Sequence, residues 1–312
     1  MRAGYLGPSG TNSDAALAAA PGEWEPVPLP TVPAVVGAVQ SGELPRALVP
    51  IENSREGGVG ATLDALVFDA PDVVIVGELV HRVSYCLTAA EAMQPEAVRT
   101  LHSHPQATAQ CAAFLHRRLQ GATIVAASST AEAVRAVAER AILAGTPPHA
   151  AIGTRHAAEL YGATILAEGI EDDEDNATRF AWIARRDEDP ADAGEPADTA
   201  DPGHASAAAD PADHSAAAGS PAAAVPTKTA LVFWGAGDLA PGWLVACLNE
   251  FAARAINLTR IESRPRRVGL GHYMFFCDLT GDAGDATVAE AIAALSAHCE
   301  AVRVLGSFPA AP

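Results

Sequence analysis

The sequence predicts an α/β protein in two parts: a two-lobed body over residues 1–186 with a ligand cleft between its lobes, and a ferredoxin-like βαββαβ tail over 227–312. Three observations carry this prediction. Short β-like runs alternate with amphipathic helical patterns through the body, which argues for layered α/β architecture with largely parallel sheets. The tail reads strand, helix, strand, strand, helix, strand. Between the two, residues 187–226 hold 15 Ala, 6 Pro and nine acidic residues, with Val225 the single larger aliphatic. Such a stretch buries too little to offset its ordering entropy and predicts a disordered linker. With 312 residues, 49% of them hydrophobic, the chain can supply a core to each part.

In the body the expected strands are 3–6, 47–51, 73–76, 100–102, 123–126, 151–153 and 164–167, each a short apolar or β-branched run bounded by turn residues. Helices are expected over 13–20, 33–40, 105–119 and 130–143. The last sets Ala131, Val134, Val137 and Ala138 on one face. The third has Pro105 at its first position, where a missing N–H costs nothing, with Ser103 or His104 as its cap. In the tail the strands are 229–234, 257–263, 273–279 and 302–307, and the helices 243–253 and 287–298. Two α/β units side by side place a cleft near their strand ends.

The net charge of −18, from 38 Asp+Glu against 20 Lys+Arg, has the wrong sign for a nucleic-acid binder. Lys228 is the sole lysine and stands in Pro-Thr-Lys-Thr at the linker's edge, a poor place for a Schiff base or a Walker-type P-loop. Pyridoxal phosphate and ATP chemistry are therefore not expected. Five cysteines, widely spaced and never in Cys-x-x-Cys, read as buried free thiols in a reducing compartment. Met1-Arg2-Ala3-Gly4 leads directly into Tyr5-Leu6-Gly7-Pro8 without the apolar stretch of a signal peptide, and no run approaches the ~18 apolar residues of a membrane span. The expectation is a soluble cytoplasmic protein without nucleic-acid or membrane partners.

Residues 4–13 end a strand, turn on Gly4, Gly7 and Gly10, and cap a helix with a hydroxyl residue. Thr11 lies at that helix start, whose free N–H groups can hold a carboxylate. Residues 235–240 fit G-x-G-x-x-A, but Pro241 and the 75 residues after Gly237 leave too little chain for a dinucleotide domain. Glu52, Asn53 and Ser54 follow an apolar strand and precede a flexible glycine loop, so polar groups gather at a strand's carboxyl end, facing the cleft. His102 and His104 imitate a metal-binding His-x-His, but nothing else has ligand spacing to them and no metal is expected. Gln110 can point to the same cleft. The acidic run 171–175 lacks the glycine and terminal Glu of an EF-hand and reads as a solvated turn. In the strand after it, Thr178-Arg179 pairs a hydroxyl with a guanidinium able to grip a carboxylate.

Five blocks, in order, resemble the prephenate dehydratases: Gly7-Pro8-Ser9-Gly10-Thr11, Pro50-Ile51-Glu52-Asn53-Ser54, Ser103-His104-Pro105-Gln106, Asn176-Ala177-Thr178-Arg179-Phe180 and Glu262-Ser263-Arg264-Pro265. The resemblance covers essentially everything outside 187–226. It implies a catalytic body of two periplasmic-binding-protein-like lobes, then an ACT domain that binds L-phenylalanine as feedback effector. The implied reaction removes carbon dioxide and water from prephenate to give phenylpyruvate, and because the forming ring is the electron sink, no cofactor is needed. Carried over by motif, Thr178 is the catalytic hydroxyl, hydrogen-bonding the leaving oxygen, with Glu52 or a water as proton source. Asn53, Ser54, Ser103, Gln110 and Thr11 become substrate-binding residues, and Arg179 the partner of a substrate carboxylate. Gly242, Trp243, Leu244, Glu262, Ser263, Arg264 and Pro265 become the effector site. Two departures stand out: Trp243 replaces the usual Ala, which predicts a reshaped effector pocket with weaker phenylalanine binding or another amino acid preferred, and Asn12 replaces a common aromatic. The linker is also longer than the family leads one to expect. Arogenate dehydratase and a non-catalytic sensor of small acids stand as alternatives, and an ACT domain implies a homodimer or homotetramer.

Overall fold

The structure, a computed structural model, describes residues 1–140, 148–187, 226–235 and 240–311. Residues 188–225 of the expected linker and 236–239 of the Gly-x-Gly stretch lie outside the described residues. In chain order the body contains β1 (Arg2–Leu6), α1 (Asn12–Ala19), β2 (Glu25–Leu29), α2 (Val32–Gln40), β3 (Arg46–Asn53), β4 (Gly57–Gly58), α3 (Gly60–Phe68), β5 (Val73–Arg82), β6 (Cys86–Ala89), β7 (Thr100–Ser103), α4 (Pro105–Gln110), α5 (Ala112–Arg118), β8 (Thr123–Ala126), α6 (Thr130–Arg140), β9 (His149–Gly153), α7 (Arg155–Tyr161), β10 (Thr164–Glu168) and β11 (Ala177–Arg185). The tail contains β12 (Thr227–Trp234), α8 (Trp243–Ala252), β13 (Leu258–Pro265), β14 (Tyr273–Thr280), α9 (Ala286–Ser296) and β15 (Ala301–Pro309).

The first lobe's sheet runs β2-β1-β3-β11-β5, with β4 on β3, and the second lobe's runs β10-β6-β9-β7-β8. The chain crosses between lobes twice, from β5 to β6 and from β10 to β11. That return explains a correction: the sheets are mixed rather than largely parallel. Strand β11 comes back from the second lobe and enters the first sheet antiparallel to both β3 and β5. Strand β2 carries two prolines and was invisible to a propensity reading; as an edge strand paired only with β1, it needs no second ladder. The expected glycine loop is partly ordered, because Gly57 and Gly58 pair with Asn53 and Glu52 and α3 begins at Gly60. The helix expected over 105–119 breaks at Cys111 (φ −116°, ψ 19°) into α4 and α5.

The tail sheet, β13-β14-β12-β15, has two buried faces. Successive side chains of a strand point to opposite faces. Leu231, Phe233, Cys277 and Leu279 therefore pack with Phe251 of α8 and Leu295 of α9. Their neighbours Ala230, Val232, Met274 and Phe276, with Leu305 and Phe308, join one continuous core with Val49, Ile51, Leu63, Leu66 and Ile75 of the body. The tail domain is thus docked on the first lobe through its sheet. Gly306 permits the approach: its φ is +149°, and a Cβ there would stand 2.0 Å from the Ile75 carbonyl oxygen.

Candidate active site

The site is decided by the alternation along β11. Thr178 faces Asn53 on β3 and His81 on β5, whereas Arg179 faces Glu52 and Val80. Phe180 and Trp182, in phase with Thr178, pack with Leu17 of α1, while Ala181 and Ile183, in phase with Arg179, lie in the core shared with the tail. Thr178, Asn53 and His81 therefore share the α1 face of the sheet. Glu52 and Arg179 share the tail face. A register shift in the pairing of β3 with β11 brings Asn53 opposite Thr178.

A polar chain links the lobes on the α1 face. Gln110, buried at the end of α4, accepts from Asn176 Nδ2 at 3.0 Å. Asn53 Nδ2 donates toward Asn176 Oδ1 (3.1 Å), the Ala177 carbonyl (3.2 Å) and Thr178 Oγ1 (3.0 Å). The orientation of Asn53 is fixed because its Oδ1 accepts from the Arg55 and Glu56 amides. Ser54 Oγ accepts from the Ala177 amide at 3.0 Å. Glu56 also accepts from Gln106 of α4, a second tie between the lobes.

The acidic run is not merely solvated. Glu171 accepts from the Tyr85 amide at 2.8 Å and Asp172 from the Ala113 amide at 3.1 Å, so two of its carboxylates fasten the crossing segments. A cavity of about 390 Å³ opens between the lobes, lined by Asn12, His81, Arg82, Arg155 and His156 among others. Burial first, and the nearby His156 second, hold His81 below its ordinary pKa, which favours the neutral ring. Among the described residues Arg82 is held by the Glu174 carbonyl and by an exposed pairing with that residue's carboxylate at 3.8 Å.

Other expected residues fall elsewhere. Thr11 is the N-cap of α1; its Oγ1 donates to the Leu6 carbonyl and accepts from the Asp14 amide. The Gly10 amide, just before the cap, donates to Asp14 Oδ2 at 2.7 Å. Ser103 is buried and donates to the His104 carbonyl. His104 is the N-cap of α4 but makes no side-chain cap hydrogen bond. Arg179, instead of facing the cleft, donates from three different nitrogens to Glu52, Glu78 and Asp278. Burial lowers its pKa, but the charges of Asp278 and Glu52 outweigh this and raise it. Asn176, His81 and Glu78 were not singled out from sequence; Asn176 was visible only as the first residue of its motif block.

In the tail, Gly242, Trp243 and Leu244 line a cavity of about 190 Å³ with Tyr273 and Phe275. Trp243 packs on Phe233 and Phe275 and donates from Nε1 to the His298 carbonyl at 2.7 Å. The Glu-Ser-Arg-Pro block divides by parity. Ser263 and Pro265 pair with Phe275 and Tyr273 on the cavity side. Glu262 and Arg264 point to the body, Glu262 over Gly58 and Arg264 onto Asp64 at 2.8 Å. All five cysteines are free, and Cys299 is half-buried, not fully buried as expected.

The comparisons with known proteins meet this geometry. The family model described as prephenate dehydratase matches residues 3–188, and the ACT domain model matches 240–297. A prephenate dehydratase of Mycobacteroides abscessus is 38% identical over 99% of this chain and 90% of its own. The chain belongs to the prephenate dehydratase family. A solved prephenate dehydratase from Arthrobacter aurescens, in complex with L-Phe, is 34% identical, covers 99% of this chain and 90% of its own, and superposes with a TM-score of 0.78. A structure described as GqqA, a novel type of quorum quenching acylase, shares the fold at TM-score 0.78 with 28% identity, over 100% of this chain and 99% of its own. Membership in the prephenate dehydratase family makes this chain a dehydratase, a carbon–oxygen hydro-lyase. Among the described residues no helix is long and apolar enough to cross a membrane.

Proposed function

We propose that this dehydratase converts prephenate to phenylpyruvate, carbon dioxide and water, that Thr178 assists the departing hydroxyl, and that L-phenylalanine regulates it through the tail cavity. The observation that carries the reading is the hydrogen bond from Asn53 to Thr178 Oγ1. A hydroxyl that accepts from a fixed amide keeps its own proton to donate into the cleft, toward the oxygen on which charge develops. Loss of the ring carboxylate as carbon dioxide supplies the electron pair, and loss of the para hydroxyl completes the aromatic ring.

With Glu52 held by Arg179 on the far face, we assign the proton on the leaving hydroxide to a cleft water. Neutral His81, across the strand pair from Thr178, can orient that water. With Arg179 committed to three protein carboxylates and Arg155 paired with Glu159 and Glu168, we assign a substrate carboxylate to Arg82, the more exposed cation of the cavity. The L-Phe complex of the Arthrobacter aurescens relative supports phenylalanine as effector. Deacylation of the kind named for GqqA needs an activated nucleophile; here burial pushes the Cys86 thiol up to about 11, away from a reactive thiolate. We further propose that the chain works in the cytoplasm as a homodimer or homotetramer.

The test is incubation of the purified chain with prephenate and, separately, with arogenate, without cofactor, following phenylpyruvate and phenylalanine, each with and without added L-phenylalanine. Phenylpyruvate formation slowed by L-phenylalanine is the expected result. Preferential turnover of arogenate would assign the transaminated substrate, and no product from either would return the chain to a sensor of small acids.

A further inference from the structure

The effector-side cavity and the body lie on opposite faces of the same two strands. On β14, Tyr273 and Phe275 line the cavity, while Met274 and Phe276 enter the body's core and Asp278 meets Arg179. On β13, Ser263 and Pro265 are on the cavity side, while Arg260, Glu262 and Arg264 reach the body. A rigid shift of these strands on the cavity side is therefore a shift on the body side as well.

What it meets there is a buried charge cluster. Arg179 Nε donates to Glu52 at 3.0 Å, Nη1 to Glu78 at 3.1 Å and Nη2 to Asp278 at 2.6 Å. The side chains of Glu78 and Asp278 are 1% and 2% exposed. Lys228 holds the other oxygen of Glu78 at 2.7 Å, and Arg260 lies 3.8 Å from Asp278. Arg260 Nε is buried without a hydrogen-bond partner and stands 3.9 Å from the same Glu52 oxygen that Arg179 holds. Glu52 thus sits between two guanidiniums, one from the body and one from the tail. Closing the 3.9 Å gap from Arg260 Nε to hydrogen-bonding distance takes a movement of about 1 Å.

We propose that Arg179 is a positioning residue: its clasp on Glu52 and Asp278 sets the backbone of β11 at Thr178, and exchange of Glu52 from Arg179 to Arg260 is how the tail domain lowers turnover. Thr178 and Arg179 share a peptide unit, and Asn53 and Glu52 share the one facing it, so release of Arg179 reorients the Asn53–Thr178 pair without touching substrate. Arg260, whose Nη2 donates to Glu262 at 3.3 Å while its Nε has no partner among the described residues, marks the second arrangement of a two-state element. This inference rests on the dehydratase reading given above.

The test uses the full-length chain. Asp278→Asn is expected to lower kcat by about tenfold or more while prephenate KM stays within about threefold, the signature of lost transition-state geometry rather than lost binding. Arg260→Gln removes the alternative partner of Glu52; basal turnover is expected to stay within about twofold while the concentration of L-phenylalanine for half-inhibition rises about fivefold or more. Should Asp278→Asn not fold, Arg179→Lys, which keeps the charge but cannot serve three carboxylates from a fork, is expected to show the same kcat loss. Unchanged kcat in the clasp variant overturns the positioning role, and unchanged inhibition in Arg260→Gln overturns the exchange, as does a parent enzyme that turns over prephenate but ignores L-phenylalanine. If the parent fails to turn over prephenate at all, the functional reading fails separately; amide hydrogen exchange along β11 then judges the clasp, faster exchange in Asp278→Asn supporting it and equal exchange ending it.

Discussion

Replacing Thr178 by Val removes one oxygen and keeps the shape, so its two consequences can be separated. For stability, Asn53 Nδ2 loses an acceptor at 3.0 Å but retains Asn176 Oδ1 and the Ala177 carbonyl at 3.1 and 3.2 Å. The amide is not orphaned, and the folding cost stays at the level of one ordinary hydrogen bond, about 0.5–1.5 kcal/mol. For catalysis, the lost donor has no replacement at the leaving oxygen, and removal of one such donor typically costs about 2.7–4 kcal/mol, or 10²–10³ in kcat. The expected variant is folded, melts a few degrees below the parent, binds prephenate with KM within about threefold and turns over at least a hundredfold more slowly. Thr178→Ser, which restores the hydroxyl, should recover most of the loss. Steady-state kinetics beside thermal melts check both halves. Turnover of Thr178→Val within about threefold of the parent would refute the assignment, and a collapse of stability would refute the argument that Asn53 has acceptors to spare.

Three further outcomes follow from the packing and charges. Gly306→Ala places a Cβ 2.0 Å from the Ile75 carbonyl oxygen at a φ of +149°; overpacking of about 1–3 kcal/mol should loosen the tail from the body, seen as faster proteolysis between them, and an unchanged digest would contradict the docking. Trp243→Ala should open the 190 Å³ cavity and tighten L-phenylalanine binding by about tenfold in calorimetry (1.4 kcal/mol); equal affinity would show that the indole is no obstacle. The third outcome concerns acid. Burial raises Asp64 and Glu78, but hydrogen bonds from Arg264 and Arg267 to Asp64, and from Lys228 to Glu78, prevail and hold them below their ordinary 3.8 and 4.5. Depressed carboxylates stabilise fully above those values and lose the contribution as pH falls through the folded-state values. The urea midpoint of the parent should therefore exceed that of Asp64→Asn at about pH 6 and converge with it in acid, whereas a constant gap would remove Asp64 from the interface.

Much of this protein is written locally. Glycine and hydroxyl residues announce the turn and cap at 7–11, Pro105 the start of α4, and alternating apolar runs most strands, because these depend on the conformational preferences of a few adjacent residues. The same local blocks carried the family. Elements whose character is set by their neighbours were missed: the proline-bearing edge strand β2, the helix α3 hidden behind glycines, and the break at Cys111. At the site, sequence brought forward Thr178, Asn53, Ser54 and Gln110, and the structure unites them through Asn176. It could not choose between faces. Glu52 and Asn53, Thr178 and Arg179, or Glu262 and Ser263 are adjacent in every motif, yet a strand sends adjacent side chains to opposite sides. Which side is cleft and which is interface depends on where α1, the second lobe and the tail sheet pack. Residue types and their order were fixed by sequence alone. Tertiary packing decided that Thr178 takes the α1 face of the sheet while Arg179, one peptide away, is buried against Asp278, 99 residues further along the chain.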